Sequence, residues 1–346
     1  MEHPPQDAGE RQPVTKKEIT ADNPTWCPGC GDFSVLSIYY KLIQKRNIPH
    51  ENVITVAGIG CSSRFPYFVQ AHGAHYIHGR ALSFASGLSL SRPDLHVFTF
   101  GGDGDAFSIG GNHFVHTARK NVKMTYVVMD NFVYGLTKKQ TSPTSPLGFK
   151  SKTDNWGAFD QPINPMKLAI SAGATFVART SHTNPKHLLE MMDVAMDHDG
   201  FSFIECLSEC TEFFAGAFDS SNPRKGGEFK LMPEDHDPTD EAAAYAVAGE
   251  DFPGRFGIFY QIQRPTKNAL EAGVIEDGHE DLRDEFAGCG RDGYQLVGIC
   301  GAAHDGHPAS RCAIRRSICS GPHAMPLSRT RQEQTSSCVT CVGSPG

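Results

Sequence analysis

Short apolar runs alternate with segments of helical periodicity through the first three quarters of the chain. The runs predict strands over 53–57, 96–100, 124–130, 174–178, 201–206 and 257–260. The intervening segments predict helices over 33–45, 80–90, 108–119, 165–172, 185–197 and 266–272. Strands that are apolar throughout are typical of a parallel sheet that is covered on both faces. The pattern therefore predicts an α/β fold, with a parallel sheet and helices on both faces.

The two ends of the chain differ in composition from the segment of alternating strands and helices between them. Residues 1–20 are polar and predict an N-terminal arm, and 21–286 predict one domain. Within that domain, 219–240 are rich in Pro, Gly, Asp and Lys, as expected of an exposed loop. Periodicity disappears over 287–346, which predicts an irregular tail. A frameshifted reading and a disordered segment both account for that tail, and the frameshift is slightly favoured.

Composition and charge narrow the class of protein. At 346 residues and 39% hydrophobic content, the chain can bury a substantial core. A net charge of -7 gives no support for a nucleic-acid partner. The N-terminus lacks the basic and then apolar pattern of a signal peptide, and no run of about 18 apolar residues is present. We expect a cytoplasmic protein with no membrane-spanning segment.

Three polar or glycine-rich segments follow the ends of predicted strands, at 58–62, 101–105 and 131–136. In a parallel sheet, ligands bind beyond the carboxyl ends of the strands. We therefore expect these segments to lie on one rim of the sheet.

The segments at 101–105 and 131–136 contain oxygen ligands suited to magnesium. Asp103 supplies a carboxylate, Asn131 an amide oxygen, and Val133 a backbone carbonyl. The glycines beside Asp103 let the backbone approach a diphosphate. A Gly-Asp-Gly triplet is also typical of a tight turn, but Asn131 at the end of the next strand favours the metal-binding interpretation.

The cysteines suggest a second site. Cys27 and Cys30 form a local pair, and Cys61 lies in another loop. Four thiolates suit zinc or an iron–sulfur cluster, and buried free thiols are the alternative. The fourth ligand would be Cys206 or Cys210. Cys210 is favoured, because Cys206 continues an apolar strand. One pair with separated single cysteines fits a cluster better than zinc, which usually takes two pairs.

Two basic side chains are weaker candidates. His78 precedes a predicted helix, where it could donate to a phosphate oxygen or only mark the start of the helix. Arg64 is a candidate contact for a substrate carboxylate, although a surface arginine is the default interpretation. No catalytic residue is assigned in this chain.

The motifs occur in an order that resembles one family. They are Trp-Cys-Pro-Gly-Cys-Gly at 26–31, Gly-Ile-Gly-Cys-Ser-Ser at 58–63, His-Gly-Arg-Ala at 78–81, Gly-Gly-Asp-Gly-Asp at 101–105 and Asp-Asn-Phe-Val-Tyr-Gly-Leu-Thr at 130–137. This series resembles the beta subunit of 2-oxoacid:ferredoxin oxidoreductases, over about residues 20–286.

The resemblance implies a thiamine diphosphate-binding fold and a set of cofactor residues. Cys27, Cys30, Cys61 and Cys210 would ligate a [4Fe-4S] cluster, and Asp103, Asn131 and Val133 would hold magnesium. Nine residues would contact thiamine diphosphate: Ile59, Gly60, Cys61, Ser62, His78, Gly104, Asp105, Gly135 and Leu136.

The resemblance also implies an activity. Such a subunit works with an alpha subunit as a heterodimer. Together they decarboxylate a 2-oxoacid oxidatively with coenzyme A, giving an acyl-CoA, CO2 and reduced ferredoxin. Arg64 slightly favours 2-oxoglutarate over pyruvate. No carboxylate suited to polarising the aminopyrimidine ring of thiamine is evident, so a partner chain is expected to contribute one.

Two alternative functions remain. A subunit of a non-oxidative thiamine-dependent decarboxylase would need no cluster, so cysteine-bound iron discriminates against it. A zinc-stabilised nucleotide-binding protein without catalysis would not bind thiamine diphosphate.

Overall fold

The computed structural model of the chain describes residues 12–276. Its helices are α1 Lys16–Ile19, α2 Asp32–Arg46, α3 Ala81–Ser91, α4 Asp103–Phe107, α5 Gly111–Lys120, α6 Pro165–Ser171, α7 Pro185–Asp197, α8 Glu241–Val247 and α9 Lys267–Glu276. Its strands are β1 Val53–Ala57, β2 His72–His75, β3 His96–Gly102, β4 Met124–Asp130, β5 Phe176–Ser181, β6 Phe201–Leu207 and β7 Gly257–Gln261. The tail predicted over 287–346 lies outside the described residues, as does the start of the N-terminal arm.

The strands form one sheet in the order β2-β1-β3-β4-β6-β5-β7. Every neighbouring pair is parallel except β5 and β7, which are antiparallel. The prediction of a parallel sheet is therefore confirmed for β1, β3, β4, β5 and β6, and wrong for β7. After β6 the chain descends to the amino end of the sheet, where the carbonyl of Pro238 accepts a hydrogen bond from the N–H of Gln261. Helix α8 follows, and the chain enters β7 near the carboxyl end, with Gly257 opposite Arg179. Because the chain enters β7 at the end of the sheet where β5 finishes, β7 runs antiparallel to β5.

Helices cover both faces of the sheet, as the apolar strands predicted. On one face α2 and α7 pack against alternate strand residues such as Val127 and Met129. On the other face α3, α5, α6 and α8 pack against the intervening residues, among them Tyr126 and Val128. Because successive side chains of a strand point to opposite faces, a strand between two cores is apolar at every position. This explains why the strand prediction was accurate over 124–130.

Two elements depart from the sequence-based prediction. β2 (His72–His75) was not predicted, because this edge strand is partly exposed and has no apolar run. The helix predicted over 108–119 is observed as α5, and a short helix that was not predicted, α4, precedes it over Asp103–Phe107. Between α4 and α5 a Cβ on Gly110 would lie 2.1 Å from the carbonyl oxygen of Asp105, so only glycine fits at this position.

The described part of the N-terminal segment packs against the domain. Helix α1 begins with a capping box, in which Thr15 and Glu18 satisfy each other's backbone N–H. Ile19 is buried in the part of the core that lies on the α2 and α7 side of the sheet. Across residues 12–276, no helix is long and apolar enough to cross a bilayer.

Candidate functional site

The three segments expected on one rim enclose a single cavity of about 240 Å³. They follow β1, β3 and β4, which are adjacent in the sheet. The cavity is lined by Ile59, Gly60, His78, Gly102, Asp103, Gly104, Asp105, Asn131, Val133, Tyr134, Gly135, Leu136, Thr137 and Gln140. The parallel sheet thus brings together residues that lie up to about eighty positions apart in the sequence.

Asp103 is the first residue of α4, and its carboxyl is buried beside that of Asp130. The hydroxyl of Thr144 lies 2.9 Å from Oδ2 of Asp103 and 2.9 Å from Oδ1 of Asp130. Burial raises the pKa of Asp103 to about 6. Burial, followed by the charge of Asp103, raises the pKa of Asp130. Two buried carboxyls that share one hydroxyl donor form an environment that a bound cation would stabilise.

Sequence reasoning missed both partners of Asp103. Asp130 carried a readable signal, since it ends a buried strand directly before Asn131. Thr144 carried none, because it lies in an irregular segment whose path only the fold shows.

The backbone after β4 is held in an unusual conformation. Phe132 has a φ of 61°, in the left-handed region that side chains disfavour. Its ring packs between Phe218 and Phe252, and its carbonyl accepts a hydrogen bond of 2.6 Å from Ser145. The N–H of Val133 donates to Oδ1 of Asn131. Packing and hydrogen bonds therefore fix the turn that places Asn131 and Val133 at the cavity.

The Asp105 carboxylate faces the two loops beside α4. The backbone N–H groups of Ile59 and Gly79 donate to its Oδ1 at 2.9 and 2.8 Å. Nδ1 of His78 lies 2.9 Å from the same oxygen. This hydrogen bond raises the pKa of His78. One buried carboxylate therefore connects the loops that follow β1 and β2.

Gly104 allows the closest approach in the cavity. A Cβ at this position would lie 2.0 Å from the Tyr134 ring. With glycine there, the Tyr134 hydroxyl donates to the Gly104 carbonyl at 3.3 Å. The absence of a side chain is therefore what lets the segments after β3 and β4 close over each other.

Four thiols surround a second cavity, of about 330 Å³. Its lining includes Cys27, Cys30, Cys61 and Cys210. A Cβ placed on Gly135 would lie 3.6 Å from Sγ of both Cys61 and Cys210, so these two thiols face the same glycine.

The loops that carry these thiols are held by local hydrogen bonds. The N–H of Cys30 donates to the carbonyl of Cys27 at 3.1 Å, which closes a turn. The indole N–H of Trp26 donates to the carbonyl of Cys61 at 2.7 Å. The ring of Trp26 in turn packs edge-on against Phe33 and Phe68.

Burial raises the pKa of these thiols where a shift is resolved, to about 12 for Cys61 and in the same direction for Cys30 and Cys210. Cys30, Cys61 and Cys210 are therefore neutral thiols at pH 7, and binding a metal would release their protons.

Cys206 lies elsewhere. It is fully buried in β6 and belongs to the core between the sheet and helices α2 and α7. Cys210 follows the end of the same strand and lines the thiol cavity. The structure therefore brings Cys210, and not Cys206, together with the other three thiols.

The remaining predicted site residues divide between the cavities. Cys61 lines the thiol cavity, and Ser62 is buried and lines neither. Arg64 lines the thiol cavity and not the one containing Asp103. Asn131, Gly135 and Leu136 line both cavities and so form a shared wall.

Single-ion metal sites need ligands that converge on one point. No group of three His, Cys, Asp or Glu side chains converges in this way within residues 12–276. The four thiols instead surround a volume, and the Asp103 site offers one carboxylate with an amide and a carbonyl.

Comparisons with known proteins identify relatives of the chain. Residues 58–206 match the family described as "Thiamine pyrophosphate enzyme, C-terminal TPP binding domain". The chain is 38% identical to 2-oxoglutarate oxidoreductase subunit KorB of Mycobacterium tuberculosis, covering 78% of this chain and 72% of that protein. It is also 38% identical to 2-oxoglutarate synthase subunit KorB of Methanocaldococcus jannaschii, over 69% of this chain and 88% of the relative.

A solved structure shows the same similarity. It is a 2-oxoglutarate:ferredoxin oxidoreductase from Magnetococcus marinus with 2-oxoglutarate, coenzyme A and succinyl-CoA bound. The TM-score is 0.73 at 39% sequence identity, covering 78% of this chain and 92% of that one.

Proposed function

The chain belongs to the family of 2-oxoacid:ferredoxin oxidoreductase beta subunits, and from that premise we propose that it forms the thiamine diphosphate- and cluster-binding half of a 2-oxoglutarate:ferredoxin oxidoreductase. The reaction is the oxidative decarboxylation of 2-oxoglutarate with coenzyme A, giving succinyl-CoA, CO2 and reduced ferredoxin. The observation that carries the proposal is the pair of cavities with a shared wall. One has the residues for a magnesium-bound diphosphate and the other has four thiols, so two cofactors would lie side by side.

The donor set of the thiol cavity supports an iron–sulfur cluster. Cys27, Cys30, Cys61 and Cys210 supply four sulfur ligands around a space of about 330 Å³. A single zinc ion would need the sulfurs to converge at about 2.3 Å from one point. The cluster, when bound, accepts electrons one at a time. The chain's contribution is to hold the four sulfurs beside the wall of Asn131, Gly135 and Leu136 that the two cavities share.

The Asp103 cavity fits magnesium and a diphosphate. Asp103, Asn131 and the carbonyl of Val133 offer oxygen ligands, and phosphate oxygens and water would complete an octahedron. Thiamine diphosphate, when bound, supplies the carbon nucleophile and the electron sink. The protein's residues bind and orient it: glycine backbone accommodates the diphosphate, and Thr144 orients the Asp103 carboxylate.

A partner subunit should complete the site. The two carboxylates that line the cavity are both engaged, Asp103 with Thr144 and Asp105 with backbone amides. Neither is free to polarise the aminopyrimidine ring of thiamine. We propose that an alpha subunit supplies this group and part of the coenzyme A and 2-oxoacid sites. Arg64 would then act beside the cluster, because it lines the thiol cavity.

The state of the cysteines indicates the cellular compartment. The five cysteines that the structure describes are all unpaired. Unpaired thiols and an iron–sulfur cluster suit a reducing compartment, so we propose the cytoplasm.

Anaerobic co-purification with the protein encoded beside it tests the proposal. We expect about four irons and four sulfides per beta protomer, as a [4Fe-4S] cluster requires. Reduction of ferredoxin should then depend on coenzyme A and on 2-oxoglutarate, with pyruvate the poorer substrate. Stoichiometric zinc without sulfide would contradict the electron-transfer role. Decarboxylation without ferredoxin reduction would favour a non-oxidative enzyme.

A further inference from the structure

His78 is held at one of its ring nitrogens by two oxygen atoms. Its Nδ1 lies 2.9 Å from Oδ1 of Asp105 and 3.2 Å from the carbonyl oxygen of Ile59. Neither oxygen has a proton to donate when the carboxyl is ionised, so Nδ1 must carry the hydrogen. Nδ1 is thereby fully engaged, and Nε2 is the nitrogen available to a ligand in the cavity that His78 lines.

This arrangement restricts what His78 can offer to an anion. A neutral ring with its proton on Nδ1 presents a lone pair at Nε2, which would repel a phosphate oxygen. Only the doubly protonated ring has an Nε2–H to donate. A bond from this imidazolium to a diphosphate would also carry the positive charge that makes such bonds strong.

We propose that Asp105 is a positioning residue that fixes a proton on Nδ1 of His78, so that Nε2 binds the diphosphate only as part of an imidazolium. The inference rests on the proposed thiamine diphosphate site, and it assigns the Asp105 side chain to the loops and to His78, not to the cofactor. Because Oδ1 also accepts from the amides of Ile59 and Gly79, the same carboxylate places the imidazole and the loop backbone together.

The other charged groups near His78 do not replace Asp105. The positive charge of Arg80 opposes the rise in the pKa of His78 that Asp105 causes, and so disfavours protonation of the ring. The Arg80 guanidinium itself donates to the backbone carbonyls of Gly79 and Ile109. Tyr134 lies with its ring centroid 6.2 Å from the imidazole and is neutral at pH 7. Asp103 lines the same cavity, but its carboxylate would coordinate magnesium and so would not pair with His78. Asp105 is therefore the counter-ion of the ring.

Calorimetric titration of magnesium and thiamine diphosphate into the full chain, co-purified with its alpha subunit and stripped of thiamine, tests this proposal. Binding is measured from pH 6 to pH 9 for the natural protein, Asp105→Asn and His78→Gln. Asparagine keeps an oxygen for the two amides but removes the charge beside the ring. Glutamine at 78 cannot gain a proton. The ligand's own phosphate titration, near pH 6, is common to all three proteins.

We expect the affinity of the natural protein to fall by up to about tenfold per pH unit above the pKa of His78. His78→Gln should lack this fall, and in Asp105→Asn the fall should begin at lower pH. Parallel profiles for the natural protein and His78→Gln would overturn the proposal and leave the thiamine site intact. An unshifted profile in Asp105→Asn would overturn the role of Asp105. Absence of binding by the natural protein at every pH would overturn the proposed function as well.

Discussion

At the scale of single residues, the first cavity depends on carboxyls that are buried next to each other. Asp103 and Asp130 share the hydroxyl of Thr144, and the second carboxylate oxygen of Asp130 is buried without a hydrogen-bond partner in residues 12–276. Such an arrangement is costly in an apolar interior unless a cation or proton neutralises it. A divalent ion bound at Asp103 would relieve this unfavourable burial of negative charge, which favours its binding.

Replacing the charge of Asp103 tests this argument. Asp103→Asn keeps the size of the side chain and an oxygen for Thr144 but removes the negative ligand. We expect magnesium-dependent binding of thiamine diphosphate to weaken by at least about 100-fold, roughly 3 kcal/mol of a charged contact. Calorimetry with and without magnesium measures it. Asp160→Asn, at an exposed carboxylate, is the control and should bind like the natural protein. Unchanged affinity in Asp103→Asn would show that the metal lies elsewhere.

His198, which lines neither cavity, should make the free energy of unfolding depend on pH. Its Nε2 lies 2.7 Å from the Thr175 hydroxyl, and burial lowers its pKa to about 4. In the unfolded chain the histidine takes up a proton near pH 6.5, whereas the folded protein resists protonation down to about pH 4. Proton uptake by the unfolded chain therefore destabilises the fold as the pH falls through this window.

The expected loss is about 2 to 3 kcal/mol between pH 7 and pH 4. Urea unfolding at several pH values measures it, with His198→Gln as the matched variant. The variant should lose that much less stability over the same range. Equal losses in both proteins would mean that other groups cause the pH dependence.

At the scale of elements, the antiparallel β7 strand packs against a buried ion pair between β5 and β6. Arg179 on β5 lies opposite Glu205 on β6, and its Nε donates to the Glu205 carboxylate at 2.5 Å. The segment leading into β7 supplies the carbonyl of Pro253 to the same guanidinium, and Phe259 on β7 packs against it. Both charged side chains are buried and depend on each other.

Removing one partner leaves a buried charge unpaired. Glu205→Gln should destabilise the protein by about 3 to 5 kcal/mol, because Arg179 keeps its charge without the carboxylate. The midpoint of urea unfolding measures this loss. Asp197→Asn, in an exposed pair with Arg46, is the control and should cost less than about 1 kcal/mol. Similar losses in the two variants would contradict the structural importance of the buried pair.

Elements with a strong apolar signal were predictable from the sequence, and those without one were not. β1 and β4 were predicted at their observed bounds because both faces of each strand are buried. β2 was missed, since an edge strand with exposed side chains needs no apolar run. The orientation of β7 was missed too, because it depends on the end of the sheet at which the chain enters β7 after α8. Local patterns carry no information on that path.

At the scale of the whole molecule, the sequence predicted which loops meet but not how their side chains pair. A parallel sheet places every strand end on one rim, so Asp103 and Asn131 could be brought together from the sequence alone. The sharing of Thr144 by two carboxyls and the turning of Asp105 toward backbone amides could not be predicted, because hydrogen-bond partners depend on the final path of the loops. The boundary between two cavities is likewise a property of the assembled rim.

The two cysteines near the end of β6, Cys206 and Cys210, are four residues apart and differ in whether they can reach a cluster. Cys210 lines the thiol cavity, whereas Cys206 is packed in the core between the sheet and two helices. Cys210→Ala should lose the cluster, because only three sulfur ligands remain. Cys206→Ala should keep it, and the lost sulfur should cost only about 1 to 2 kcal/mol of stability.

Iron and sulfide per folded beta protomer, measured after anaerobic purification with the alpha subunit, check this. Circular dichroism and the elution volume of the complex confirm that each variant is folded, so that low iron in Cys210→Ala reports a missing ligand and not an unfolded chain. Full iron in Cys210→Ala with loss in Cys206→Ala would reverse the assignment. It would also require the end of β6 to open, since a core thiol can reach a cluster only if α2 and α7 move away from the sheet.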